Sequence, residues 1–198
     1  MSGLCTSRLC LRLPCPEDAT ELARLMAPGI SARLASWPAC MEGETALLRI
    51  EQARTAHAAG ACLPMLLTRH SDGRVLGWIS VSRSEADPLR GVLTYWIGEE
   101  FQGQGLMREA APLVRDAAFR RLGITELRAA VQSDNAASRA VLRGLGMRLL
   151  GPGRIWCAAR GREEPCEWWA VRRDALADHA MSTLAFVAAP PEMAAAMR

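Results

Sequence analysis

From Tyr95 to Gly105 the chain reads Tyr-Trp-Ile-Gly-Glu-Glu-Phe-Gln-Gly-Gln-Gly: an apolar strand, a turn with two glycines, and a helix that begins at once. No other stretch constrains the fold as much. A helix N-terminus carries unpaired N–H groups and a partial positive charge. Gly103 and Gly105 let the backbone approach an anion with no Cβ in the way. Strand, glycine loop and helix together make a phosphate cradle. No Gly-Lys-Ser/Thr follows, which excludes a P-loop. A full Gly-x-Gly-x-x-Gly and a second nucleotide-binding half are also missing, which excludes a dinucleotide fold. Taken alone, the pattern also fits a plain strand-to-helix turn. Glu99 and Glu100 would have to point away from any anion held there.

The remaining elements set this unit in an α/β or α+β domain. Leu9, Leu11 and Leu13 alternate with polar positions as in a strand, and Pro14 and Pro16 stop it. Glu17 and Asp18 open a helix on the favourable end of its dipole, with Leu22, Leu25 and Met26 as its stripe, and Pro28-Gly29 ends it. A short segment from Ile30 to Trp37 leads to a helix over Glu44–Ala59. Leu63–Thr68 and Val75–Val81 read as strands about a hairpin turn at Ser71-Asp72-Gly73. A polar loop, Arg83–Arg90, precedes a strand over Gly91–Ile97. The helix Gly105–Arg121 shows Leu106, Ala110, Leu113 and Ala117 on one face, and Pro112 is expected to kink it. Then come a strand over Leu127–Gln132, a helix over Asn135–Leu145 closed by Gly146, and strands over Arg148–Ala159 and Cys166–Arg172. The reading is one domain over residues 9–175, a loose N-terminus over 1–8, and a disordered or partner-docking tail over 176–198, rich in Ala, Met and Pro.

Length and charge exclude several classes. At 198 residues there is room for one full-sized core. No stretch is long and apolar enough to span a membrane, and Met1–Pro16 lacks the apolar region of a signal peptide, so a cytoplasmic protein is expected. A net charge of +3 is too small to argue for nucleic acid. All 24 basic residues are arginine, so the chain cannot modify itself on a lysine amine. The seven cysteines show no Cys-x-x-Cys pair, which argues for free thiols and no metal.

A second segment gives the glycine loop its meaning. After the next strand the chain reads Asn135-Ala136-Ala137-Ser138 and ends its helix on Leu145-Gly146-Met147. Asp134 or Asn135 is a good N-cap, and Ser138 can satisfy first-turn backbone. Gln102 through Met107, followed by Asn135, Ser138 and Leu145-Gly146-Met147, resembles the GNAT acyltransferase superfamily, with its Gln/Arg-x-x-Gly-x-Gly/Ala turn and later Asn-x-x-Ser helix. The nearer resemblance is to its Rim-type branch, the ribosomal-protein alanine/serine N-acetyltransferases. Tyr95-Trp96, Met107 in place of a small residue, and Leu11-Arg12 through Glu17-Asp18-Ala19 all look like that branch. The implied fold is a mixed, mostly antiparallel sheet splayed between two central strands and flanked by helices.

The resemblance implies acetyl-coenzyme A between the strands ending at Ile97 and Gln132. The pantetheine arm would pair near Trp96 and Ile97, and backbone N–H groups from Gly103, Gln104, Gly105, Leu106 and Met107 would hold the pyrophosphate after Gln102. The Ile97 N–H would polarise the thioester carbonyl. Asn135 would hold the arm or the loop. Ser138 would donate or relay a proton, with Tyr95 as a second candidate acid. Arg108, and on one helix face Arg139 and Arg143, are candidate phosphate ligands or solvated surface. Rim-type relatives commonly carry a glutamate at about Val92. Its absence leaves the base open between Glu85, Asp87, His70 and a bound water. The implied reaction is direct acetyl transfer in a ternary complex to a primary amine, most naturally the N-terminal α-amine of a protein. Acetylation of a small amine, and non-catalytic binding of acetyl-coenzyme A, are the alternatives. Acceptor selection is expected in Ile30–Ala59 and the Cys157–Cys166 hairpin. The protein is expected as a monomer or homodimer, with no nucleic acid or membrane partner.

Overall fold

A computed structural model describes residues 4–174. Eight strands form one sheet: β1 (Leu4–Cys5), β2 (Leu9–Arg12), β3 (Cys62–Arg69), β4 (Val75–Arg83), β5 (Arg90–Ile97), β6 (Glu126–Val131), β7 (Arg148–Cys157) and β8 (Arg162–Arg172). The helices are α1 (Ala19–Leu25), α2 (Pro28–Ser31), α3 (Gly43–Ala58), α4 (Leu106–Arg121) and α5 (Ala136–Gly144). The strand order is β1-β2-β3-β4-β5-β6-β8-β7, and every pair is antiparallel except β5 with β6. This is the mixed, mostly antiparallel α+β sheet expected of the GNAT fold.

β3 is buried from Cys62 to Thr68. Leu63, Leu66 and Leu67 are fully excluded from solvent, each worth about 2 kcal/mol of transfer free energy. That load fixes β3 inside the sheet, with helices on both faces. On β4 the side chains alternate. Trp78, Ser80 and Ser82 face α3, with whose Arg49 they line a shared cavity. Arg83 points the other way, and its Nε donates to the Leu122 carbonyl at the end of α4 (2.9 Å). Gly91 lies on that second face too, where a Cβ would meet Ile124 at 2.5 Å and Val81 at 2.8 Å.

The parting of β5 from β6 follows from register. Only Arg90, Gly91 and Val92 pair with β6, opposite Glu126, Leu127 and Arg128. Beyond Val92 the strands separate. β5 continues along β4 to Ile97, and β6 follows β8 to Val131.

Several local readings change. Leu4 and Cys5 pair with Leu11 and Cys10, so the first residues are not uniformly loose. The first helix does open at Glu17 and Asp18, as a 3-10 turn over Pro16–Asp18 that runs directly into α1; Asp18 closes that start by accepting the Cys15 N–H (2.8 Å) and pairs bidentately with Arg12 (2.6 and 2.7 Å). Pro28 opens the one-turn helix α2 after α1 has ended, using the N1 position where its missing N–H costs nothing. α4 runs unbroken through Pro112. β8 starts at Arg162, because Cys157 pairs with Arg162 across a tight hairpin. The expected tail over 176–198 lies outside the described residues.

Candidate active site

The glycine loop has the backbone its sequence requires. Gly103 and Gly105 have φ values of 74° and 75°, in the region where a Cβ is strained. Gly105 is the N-cap of α4, and the first intrahelical bond is Glu109 N–H to the Gly105 carbonyl (3.2 Å). The N–H groups of Leu106, Met107 and Arg108 precede that bond and point out of the helix end. Nothing lies within 4 Å of a Cβ placed on Gly103, and only the Arg8 side chain reaches that limit at Gly105. The cradle is therefore open where a pyrophosphate would enter. The Leu106 and Met107 side chains are buried in the core, so these residues offer backbone alone. Arg108 is exposed on the same first turn.

The two glutamates before the loop do turn away. Glu100 pairs with Arg24 (3.0 Å) and Arg74 (2.9 Å). The Glu99 carboxylate lies against Gly29, where it would be 2.6 Å from an added Cβ. Gln102 uses its side-chain amide to donate to the Ile97 carbonyl (3.1 Å), locking the loop onto the end of β5.

The β5 backbone decides which amides are free. In an antiparallel ladder, opposed residues alternate between hydrogen-bonded and non-bonded pairs. Gly98 N–H bonds Leu76 O and Ser84 N–H bonds Arg90 O, both at 2.9 Å, which fixes the even-numbered residues of β5 as the bonded ones. Trp96 therefore spends its backbone on Trp78. Tyr95 and Ile97 turn theirs toward β6, into the gap. The Ile97 N–H faces the opening, and its carbonyl is the one Gln102 holds. The Trp96 indole packs edge-on against Trp37 (5.1 Å between ring centres). Its N–H is buried with no acceptor among the described residues.

Tyr95 and Ser138 meet across the gap. The phenol lies 2.6 Å from Ser138 Oγ and 3.2 Å from the Ser138 carbonyl, which joins β5 to α5. Burial pushes the Tyr95 phenol up to about 12, the bond from Ser138 pulling the other way. Asn135 caps α5, its Oδ1 accepting the Ser138 N–H at 3.0 Å. The candidate phosphate ligands on α5 face elsewhere. Arg139 lies 3.7 Å from Glu167, and Arg143 sits over the Trp169 ring.

The candidate bases are not brought to this point. Asp87 pairs with Arg90 at the far end of β5 (3.2 Å), and Glu85 is in the same loop, about 20 Å along the strand from Ile97. His70 lies beside Thr6 O (3.2 Å) and lines a cavity of about 330 Å³ with Arg8, Arg69 and Gln104, on the outer side of the glycine loop. Val92 is half-buried opposite Ser82.

The other face of β4 and β5 holds a cavity of about 260 Å³ that the sequence did not disclose. Trp37, Arg49, Ser80 and Thr94 line it, and among the described residues no carboxylate or histidine does. The segment before Trp37 is tied to the rest of the molecule. Gln132 donates to Ala32 O (2.9 Å), and Arg33 pairs with Asp134 (2.5 Å). From the β7–β8 hairpin, Arg160 donates to Ser31 O and Leu34 O, both at 3.1 Å. No group of His, Cys, Asp or Glu among the described residues is arranged to hold a metal. No helix of the described residues is long and apolar enough to cross a membrane.

A splayed sheet, a strand edge with free amides and a glycine-built helix start define a coenzyme A-dependent acyltransferase. The family model described as an acetyltransferase (GNAT) domain matches residues 8–148, and the chain belongs to that family, the acetyl-coenzyme A-dependent N-acetyltransferases. Solved structures share the fold. RimL, a ribosomal L7/L12 alpha-N-protein acetyltransferase in complex with coenzyme A, is 23% identical with a TM-score of 0.74, over 86% of this chain and 97% of that one. The ribosomal-protein-S5-alanine acetyltransferase of Vibrio fischeri is 21% identical with a TM-score of 0.73, over 88% and 98%. Mycobacterium smegmatis RimJ, in complex with a CoA-disulfide, is 19% identical with a TM-score of 0.74, over 89% of each chain. No curated protein matches the sequence significantly.

Proposed function

We propose that the protein acetylates the N-terminal α-amine of a protein, by direct attack in a ternary complex. Acetyl-coenzyme A supplies the acetyl group as a thioester. On this reading the backbone N–H groups of Gly103–Met107 hold the pyrophosphate, with Arg108 beside them, and the free amides of Tyr95 and Ile97 receive the pantetheine arm. The Ile97 N–H polarises the carbonyl under attack. Ser138 and Tyr95, sharing one hydrogen bond, deliver a proton to the leaving thiolate. Its thiol has a pKa near ~8.5 and needs only modest help.

The observation that carries the choice of acceptor is the missing base. Among the described residues no carboxylate or histidine lines the cavity on the acceptor side, and Val92 stands where relatives commonly carry a glutamate. An α-amine, with pKa near ~8, is partly neutral at neutral pH and loses its proton to water. A side-chain amine near ~10.4 would need a stronger base. The likeness in fold to RimL, RimJ and the S5-alanine enzyme supports the same reading.

Thiol release from acetyl-coenzyme A, measured against unblocked peptides, N-blocked lysine peptides and small amines, tests it. Turnover is expected on unblocked peptides alone, with kcat/KM rising through an apparent pKa near ~8 set by the substrate amine. Turnover confined to lysine side chains or small amines would reject it.

A further inference from the structure

The cavity between α3 and the sheet holds a cation without a counter-ion among the described residues. Arg49 is half-buried on α3 and forms no ion pair among the described residues. Its guanidinium is fixed over the Trp37 ring, 4.4 Å from the centroid, and Nη2 donates to the Ser36 carbonyl. Its other N–H groups have no partner there. Burial pushes the Arg49 pKa down, with no nearby anion to oppose it. Opposite, Ser80 and Thr94 face each other across β4 and β5, and neither hydroxyl is bonded to another side chain or backbone group among the described residues. A positioned guanidinium and two free hydroxyls in one pocket suit a carboxylate, which accepts from a guanidinium and from hydroxyls at once.

Resting on the reading of the reaction given above, we propose that this cavity binds a carboxylate of the acceptor, so that the enzyme selects N-terminal amines followed closely by Asp or Glu. Position supports the choice. Thr94 precedes Ile97 on the same strand by three residues, about 10 Å of extended chain. The cavity lies on the face away from α4, so an acceptor entering there meets the transfer point from the side the cofactor loop leaves open. A span of about 10 Å matches the second or third residue of an extended peptide. The α-carboxylate of a free amino acid sits too close to its own amine to reach both points. Arg49 is a specificity residue in this scheme, acting on binding and not on the transfer step.

The test uses the full chain and matched acceptors: peptides with Asp or Asn at the second position, the same pair at the third, and free aspartate beside free asparagine. The expected result is a kcat/KM about 10- to 100-fold higher for Asp than for Asn peptides, carried by KM, as for a charge-assisted bond. Arg49→Gln should bring that ratio near one, and Arg49→Lys should restore part of it. A rise in Tm with coenzyme A shows that each variant is folded. Equal rates for Asp and Asn peptides in the unaltered enzyme would overturn the carboxylate site and leave α-amine acetylation standing. Preference for free aspartate with no turnover of peptides would overturn both the peptide acceptor and this placement of the site, because neither carboxylate of aspartate can stand about 10 Å from its own amine. No turnover on any of them would overturn both.

Discussion

Tyr95 and Ser138 carry the sharpest expectation at the level of single residues. The phenol is raised to about 12 by burial, against an unfolded value near 10. Folding thus favours its neutral form, a contribution present in full below pH ~10 and lost as pH rises through about 12. The phenol therefore stays protonated across the neutral range, and on the proposed reaction its 2.6 Å bond to Ser138 Oγ would let the pair pass one proton inward. Tyr95→Phe and Ser138→Ala should each lower kcat by about 10- to 100-fold, with little change in coenzyme A affinity. The kcat–pH profile should show no descending limb from this group below pH ~10. Stopped-flow thiol release and a binding titration check both points. An unaltered kcat in the two variants would remove the pair from proton delivery.

Elements differ in how far sequence alone could specify them. β5, the glycine loop, α4 and the cap of α5 were legible because their signals are local. Gly105 needs a positive φ at its own position, and Asn135 caps the helix that follows it through an N–H three residues on. β1 was not legible, since two residues carry no periodicity and Leu4–Cys5 exists only through pairing with β2. The first half of β8 was hidden by Arg162-Glu163-Glu164-Pro165, which reads as a polar turn. Pro165 is tolerated because β8 pairs with β6 only from Glu167 onward, so the missing N–H falls outside that ladder. The cavity under α3 depends on that helix, the Ile30–Trp37 segment and the sheet meeting, which no single window contains. Arg160 ties that segment to the β7–β8 hairpin through Ser31 O, Leu34 O and Glu164. The Arg160 bond, with smaller help from Arg162, holds the Glu164 carboxyl down at about 2. Its contribution to stability is full above the unfolded value near 4.5 and falls as pH drops toward 2. Arg160→Ala should cost about 1–3 kcal/mol by orphaning those carbonyls. It should raise KM for the acceptor more than for coenzyme A. Denaturant titration and steady-state kinetics measure the two effects, and a KM increase confined to coenzyme A would separate the hairpin from the acceptor side.

At the scale of the whole molecule, the sheet is two parts joined by a short seam. β1–β5 and β6–β8 are each continuous, but only Arg90–Val92 of β5 bond to β6. Past that seam the Tyr95 and Ile97 amides face a gap, bridged by the Tyr95–Ser138 bond and by the Gln132–Ala32 and Arg33–Asp134 contacts at the rim. An amide-bearing arm lying there would act as the missing strand and tie the parts together, so ligand binding and global stability should be coupled. At coenzyme A concentrations about 100-fold above Kd, the gain is about 2.7 kcal/mol, or roughly 5–10 °C in Tm for a domain of this size. The gain should be accompanied by slowed hydrogen exchange at Tyr95 and Ile97, and by little change at Trp96, whose backbone is already spent on β4. Gly105→Val separates this coupling from intrinsic stability. Forcing a β-branched residue to a φ of 75° strains the start of α4 by about 1–3 kcal/mol and fills the cradle, so the variant should still fold yet lose the coenzyme A-dependent rise. A ligand-induced rise in Tm that survives in Gly105→Val, or protection at Trp96 in place of Tyr95 and Ile97, would mean that the cofactor does not complete the sheet at this seam.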